Sequence, residues 1–382
     1  MTLSGANLRI VNGTGATETA NGVGNLIVGY NETRGPGIDV RSGSHYVVIG
    51  SKHDFSRFGG IVAGVENGSR GDFASVLGGS GNAAAGRASS ILGGSLNRTS
   101  STGDLSVIAG GELNAISGKA GAILGGWTNS VEPDSAQPCC PMWGTISGGS
   151  LNVVTAQNGS ITGGSENVVS ARGGAVLAGF QNRVEPDAEQ PAGTPTWGVV
   201  SGGKLNVVSA QNASIAGGEL NAVTGKMGAI LGGFSNLVRP DYGEPCCPMW
   251  GTISGGSLNV VTAQNASITG GSENVASGRA CSITGGFQNI ASGLQASVTG
   301  GLLNQAIGRG SVVTGGSTNI ASAQVSAVSG GLGNRASGDN AVVGGGRDNQ
   351  ASGNSSSLSG GRLRNATSTN SWGALTLSGF DP

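Results

Sequence analysis

The stretch Pro-Cys-Cys-Pro-Met-Trp-Gly occurs at 138–144 and again at 245–251. Adjacent thiols between prolines could form disulfides or hold a metal, and the tryptophan could offer an aromatic platform to a ligand. A zinc site wants four nitrogen or sulfur ligands, commonly as C-x2-C pairs or with histidines. Adjacent cysteines project in different directions, and His45 and His53 lie outside the repeated region that carries the two stretches. No metal and no cofactor is therefore expected. A third related segment, 183–197, has Ala192-Gly193 in place of the cysteine pair but keeps Pro186, Pro191 and Trp197. The segment's shape does not need the thiols. All three copies share Trp143, Trp197 and Trp250, which either fold back onto their scaffold or stand out for a glycan or protein receptor.

The scaffold is a repeat. Asparagine recurs three residues after a glycine at Asn82, Asn97, Asn114, Asn152, Asn167, Asn206, Asn221, Asn259, Asn274, Asn289, Asn304, Asn319, Asn334 and Asn349, and also at Asn67, Asn129, Asn182 and Asn236, with Asn365 following a 16-residue step, four residues after its glycine. The usual spacing is 15, and longer steps are 15 plus an insertion. The unit reads [VIL]-x-G-G-x-x-N-x-[AV]-x-[GA]. The aliphatic two residues before the first glycine (Ile91, Ile146, Ile161, Leu177, Ile268) has Ser, Thr or Ala neighbours, the period-2 signature of a short strand with one side chain inward. The Gly-Gly pair supplies a bend that a Cβ would resist. The asparagines fall in register, where amides can hydrogen-bond along the stack.

Fifteen residues per turn leave no room for helices. The fold expected is all-β: a parallel β-solenoid, or β-roll, of about 20 turns stacked at about 4.8 Å, a rod of roughly 100 Å. Composition agrees. Glycine is 75 of 382 residues, and charged residues are 11% against roughly 25% in ordinary globular chains. Residues 1–60 read as irregular N-terminal turns or a docking cap, 61–365 as the regular repeat, and 366–382 as a C-terminal cap. The insertions 130–143, 183–197 and 237–250 recur every third turn and should leave one edge. Cys139 and Cys140 then lie six turns, roughly 29 Å, from Cys246 and Cys247, too far for a bridge within one chain. Staples within one loop or between chains stay open beside plain loop packing.

The unit "ASVLGGSGNAAAGRASSILGGSLN" at 74–97 resembles the head repeats of trimeric autotransporter adhesins and related bacterial or phage fibre β-rolls. The resemblance covers about 60–365 and implies a left-handed β-roll, a homotrimer, and an adhesive, surface-exposed rod. The period of 15 and the asparagine column depart from the 14-residue unit of those heads.

A net charge of −1 gives no electrostatic footprint for nucleic acid. No apolar run approaches a membrane span, and "MTLSGANLRIVNG" lacks a basic stretch followed by an apolar one, so no signal peptide is read in it. No convergent acid–base pair or triad can be placed. The function expected is that of a non-enzymatic structural and adhesive rod, extracellular or on a cell surface, meeting partners through loops on one edge. The alternatives are a receptor-binding phage-type tail fibre and, from the Ser-x-Thr rows at 267–269, 282–284 and 297–299, an ice-binding solenoid.

Overall fold

The computed structural model describes residues 2–35, 37, 39–134, 142–188, 190–191, 193–240 and 249–373. Among them every regular element is a β-strand paired in parallel, and no helix occurs. The chain is a β-solenoid of about 21 turns with a repeat of about 15 residues. It divides into two compact units within the middle insertion: Met1–Val184 with Ala192–Pro195, and Glu185–Pro191 with Thr196–Pro382.

The turn at 148–162 shows how the repeat folds. Ser160–Ile161 pairs with Thr145–Ile146 on one side and Ala175–Val176 on the other, forming sheet I. Val153–Val154 pairs likewise with Ser130–Val131 and Val168–Val169, forming sheet II. A third row of single bridges runs through Trp127, Ser150 and Ser165. Each strand is two residues long because each contributes one inward side chain. Val154 and Ile161 are fully buried, while Val153 and Ser160 face outward between neighbouring turns. The core is thus two aliphatic columns, and each turn buries its pair only against the turns above and below.

Sharp corners join the rows, made by residues in the left-handed region. In this turn they are Gly149 (φ 87°), Leu151 (φ 56°) and Asn158 (φ 58°). Residues with a Cβ tolerate that region at a cost of roughly 1–2 kcal/mol each, so stacking must hold these corners in place.

Only the second glycine of the pair fits the expectation drawn from sequence. Gly164 has φ 87°, and a Cβ on it would lie 2.6 Å from Asn167 Nδ2 and 2.7 Å from Gly179 N. A Cβ on the first glycine, Gly163, would meet nothing within 4 Å, and Ala178 occupies the same place one turn later. That alanine displaces the count from the first glycine by one residue. Leu177, expected to point inward, is therefore 47% exposed, and Val176 is the buried member of the column.

The N-terminal turns obey the same register with longer strands. They are β1 (Leu26–Val28), β2 (Val47–Ser51), β3 (Asp54–Phe55), β4 (Ile61–Val65) and β5 (Gly68–Ser69). β1 pairs with β2, β2 with β4, and β3 with β5, all parallel. Large side chains replace the small ones of the repeat here. Tyr46, Val48, Phe55 and Val62 form a buried cluster, with the Tyr46 and Phe55 rings 5.5 Å apart. At the other end Ser357 pairs with Trp372 and Leu358 with Gly373, so the solenoid continues through 366–373.

Candidate functional site

The asparagine column lies inside the solenoid. Asn82, Asn97, Asn114, Asn152 and Asn167 in the first unit are at most 1% exposed, as are Asn206, Asn221, Asn259, Asn274, Asn289, Asn304, Asn319, Asn334 and Asn349 in the second. Each side chain links two turns through the backbone. Asn152 Nδ2 donates to Gly148 O in its own turn (3.1 Å) and to Gly164 O in the next (3.0 Å). Its Oδ1 accepts the Asn167 N–H at 3.0 Å. Amide-to-amide contact, which the register alone suggests, is the minor part, seen for instance from Asn167 Nδ2 to Asn152 Oδ1 at 3.1 Å. The column satisfies groups that the glycine corners would otherwise bury unpaired.

Different residues end the ladder. His53, 1% exposed, precedes Asn67, and its Nε2 meets Ile49 O at 2.9 Å, the i−4 carbonyl that each asparagine uses. A carbonyl only accepts, so Nε2 carries the proton. His53 is therefore interior and not part of an N-terminal docking surface. At the far end Arg364 N–H donates to Asn349 Oδ1 at 3.0 Å. Asn365, one residue too late, sits at the exposed outward position of its strand. The 16-residue step that seemed to continue the asparagine column marks the place where arginine ends it.

The insertions return to the solenoid through the tryptophans. Trp143, Trp197 and Trp250 have φ of 44°, 46° and 43° and are 54%, 54% and 50% exposed. None is buried in the core. The residue before each is: Met142 is 1% exposed, Thr196 is fully buried and Met249 is 4% exposed. Met142 N–H donates to Lys119 O at 2.7 Å, and Met142 O accepts the Asn158 N–H at 2.7 Å, which stitches the loop's end into the stack. Space for its side chain comes from Gly118, where a Cβ would lie 2.6 Å from Met142 Cγ, and Gly225 clears Met249 in the same way at 2.9 Å. Cys139, Cys140, Cys246 and Cys247 lie outside the described residues.

Each insertion-bearing turn also presents apolar side chains just before its asparagine. Leu124 and Trp127 are 59% and 46% exposed, and Leu231 and Phe234 are 62% and 45%. Leu177 and Phe180 hold the equivalent places in the middle copy. In the bridge row Trp127 stands between Glu112 and Ser150, and Phe234 between Glu219 and Ser257. The sequence carries a signal for these side chains, L-[GA]-G-[WF] ahead of every insertion.

No protein-family model matches this chain, and no curated protein matches it.

An exposed indole or phenyl ring beside a carboxylate and a hydroxyl suits a neutral polar ligand with apolar faces, stacking on the ring and hydrogen-bonding at its edge. Among the described residues no group of three or more His, Cys, Asp or Glu side chains is placed to hold a metal ion, and no helix is long and apolar enough to cross a membrane. The Ser-x-Thr rows lie on the outer face of sheet I, with Ser267, Ser282 and Ser297 in register. Ser282 Oγ donates to Ser297 Oγ at 3.3 Å, and Thr269, Thr284 and Thr299 are exposed.

Cys281, the one free thiol among the described residues, occupies the small inward position that Ala266 and Ala296 fill in adjacent turns. Burial pushes its thiol up to about 11, because the thiolate would lose its hydration. The fold therefore favours the neutral form. That contribution is fully present below the unfolded thiol value near 9 and is lost as pH rises towards 11. Wild-type protein is expected to lose stability over that window by more than Cys281→Ala does, by about 2–3 kcal/mol at most. Urea unfolding at pH 8 and pH 11 measures the difference, and equal losses in both proteins would contradict it.

Proposed function

We propose that the protein is a non-enzymatic structural and adhesive β-solenoid of a bacterial surface or extracellular fibre. It associates with itself and meets a glycan or protein receptor through its insertion-bearing turns. The observation that carries this reading is the pairing of half-exposed aromatics on those turns, Trp127 with Trp143 and Phe234 with Trp250, in a chain with only 4% aromatic residues. A sequence so poor in rings that leaves these in solvent uses them for contact. The second support is the architecture, whose interior is given over to columns of aliphatic and asparagine side chains.

The test is adhesion to immobilised glycans and to cell surfaces. Trp127→Ala with Trp143→Ala, and Phe234→Ala with Trp250→Ala, should each weaken binding at least tenfold. That corresponds to about 1.4 kcal/mol, the lower range of an aromatic hot spot. The circular dichroism spectrum should not change, since these rings are outside the core. Undiminished adhesion in both double variants would sink the reading, as would release of cleaved sugar by the wild-type protein.

A further inference from the structure

The first turns of the solenoid carry a surface unlike the rest. Among the described strands β1 pairs with β2 alone, so one of its edges has no strand beside it. Register runs Leu26–Val47–Ile61 and Val28–Ile49–Ala63 across β1, β2 and β4. The outward side chains are aliphatic throughout: Leu26 is 42% exposed, Val28 54%, Ile49 43% and Ile61 37%. Val65 extends the patch, and Tyr30, just after β1, is almost wholly in solvent. Ile27 adds to it from the inward column. Its register partners Val48 and Val62 are buried, but Ile27 is 40% exposed, because among the described residues no strand pairs with β1 on its other side.

We infer that this platform is the surface through which the chain associates with a second copy of itself. The inference rests on the proposed reading of a self-associating fibre protein and gives that association a place. Three features favour a second copy as the occupant. No charged residue interrupts the platform, so nothing on it selects a partner of opposite sign. The aliphatic side chains form one face across three paired strands, so two copies can cover it with the same surface about a twofold axis, as in isologous interfaces. The area is also right. Six half-exposed aliphatic side chains with Tyr30 offer roughly 400–500 Å² of apolar surface. A stable interface takes about 800 Å² from each partner, of which about 56–65% is apolar.

Light scattering on the full chain after size exclusion tests this. Wild-type protein should run as a multiple of the 37.1 kDa chain. Val28→Lys with Ile49→Lys should return it to single-chain mass, with the dissociation constant raised at least 100-fold. Tyr30→Lys, which touches nothing interior, should shift the equilibrium the same way without any risk to folding. Leu363→Lys, at an exposed leucine of the second unit, should leave the mass unchanged. An oligomer that survives all the platform variants would overturn the assignment and leave self-association standing. A wild-type protein that runs as a single chain at high micromolar concentration would overturn both.

Discussion

Replacing Asn167 with alanine is expected to lower the stability of its unit by about 2–6 kcal/mol. Two backbone groups would lose their partner at once, Gly163 O and the Asn182 N–H, while Gly179 O would keep only the Ser165 N–H. All lie against a fully buried side chain, where each unpaired group costs about 1–3 kcal/mol and water has little room to substitute. Asn167→Asp separates hydrogen bonding from shape. The carboxylate keeps the acceptor for Asn182 but points negative oxygen at two carbonyls, so at neutral pH it should be at least as damaging as alanine. Lowering the pH through the carboxyl range should recover part of the loss, since the protonated acid donates once. Hydrogen exchange of the flanking amides reads the effect turn by turn. Protection of the amides of Asn182 and its neighbours unchanged in the alanine variant would refute the ladder's role.

The second large effect separates two adjacent glycines. Gly164→Ala should cost more than 4 kcal/mol, because it combines a left-handed backbone with a Cβ pressed against the backbone of the next turn and the amide of Asn167. Gly163→Ala should change stability by less than about 0.5 kcal/mol, since its Cβ would enter open space and Ala178 already occupies the equivalent site. Thermal and urea unfolding of the pair decide this. Equal destabilisation by the two alanines would mean that the corner is held by something other than steric closure.

That contrast also shows where sequence reading runs out. The period, the all-β solenoid, the inward aliphatic column and the asparagine column were all legible, because a stacked turn imposes the same environment on the same position every 15 residues. Whether a glycine is needed for its dihedral or only tolerated is invisible in a column that holds glycine almost throughout. Ala63 and Ala178 were the hints, and Ala178 misdirected the reading of Leu177. His53 and Arg364 were missed because ladder ends obey hydrogen-bond geometry and not residue type. Nothing in the Pro-Cys-Cys-Pro-Met-Trp-Gly stretch marks Met142 rather than Trp143 as its buried residue. The φ near 44° at Trp143 turns the indole outward and leaves the methionine to fill the core.

Because the asparagines tie their turns to the next through two hydrogen bonds, as Asn152 does, the solenoid within each unit has a defined response to tension along its axis. Turns of nearly equal strength should peel singly from an end, each freeing about 15 residues, or roughly 50 Å of contour. An insertion-bearing turn frees its loop as well and lengthens the step by about half. A solenoid built this way yields under load in small, regular increments. It stretches without losing its remaining turns, and it can rewind by restacking one turn at a time on the intact template below.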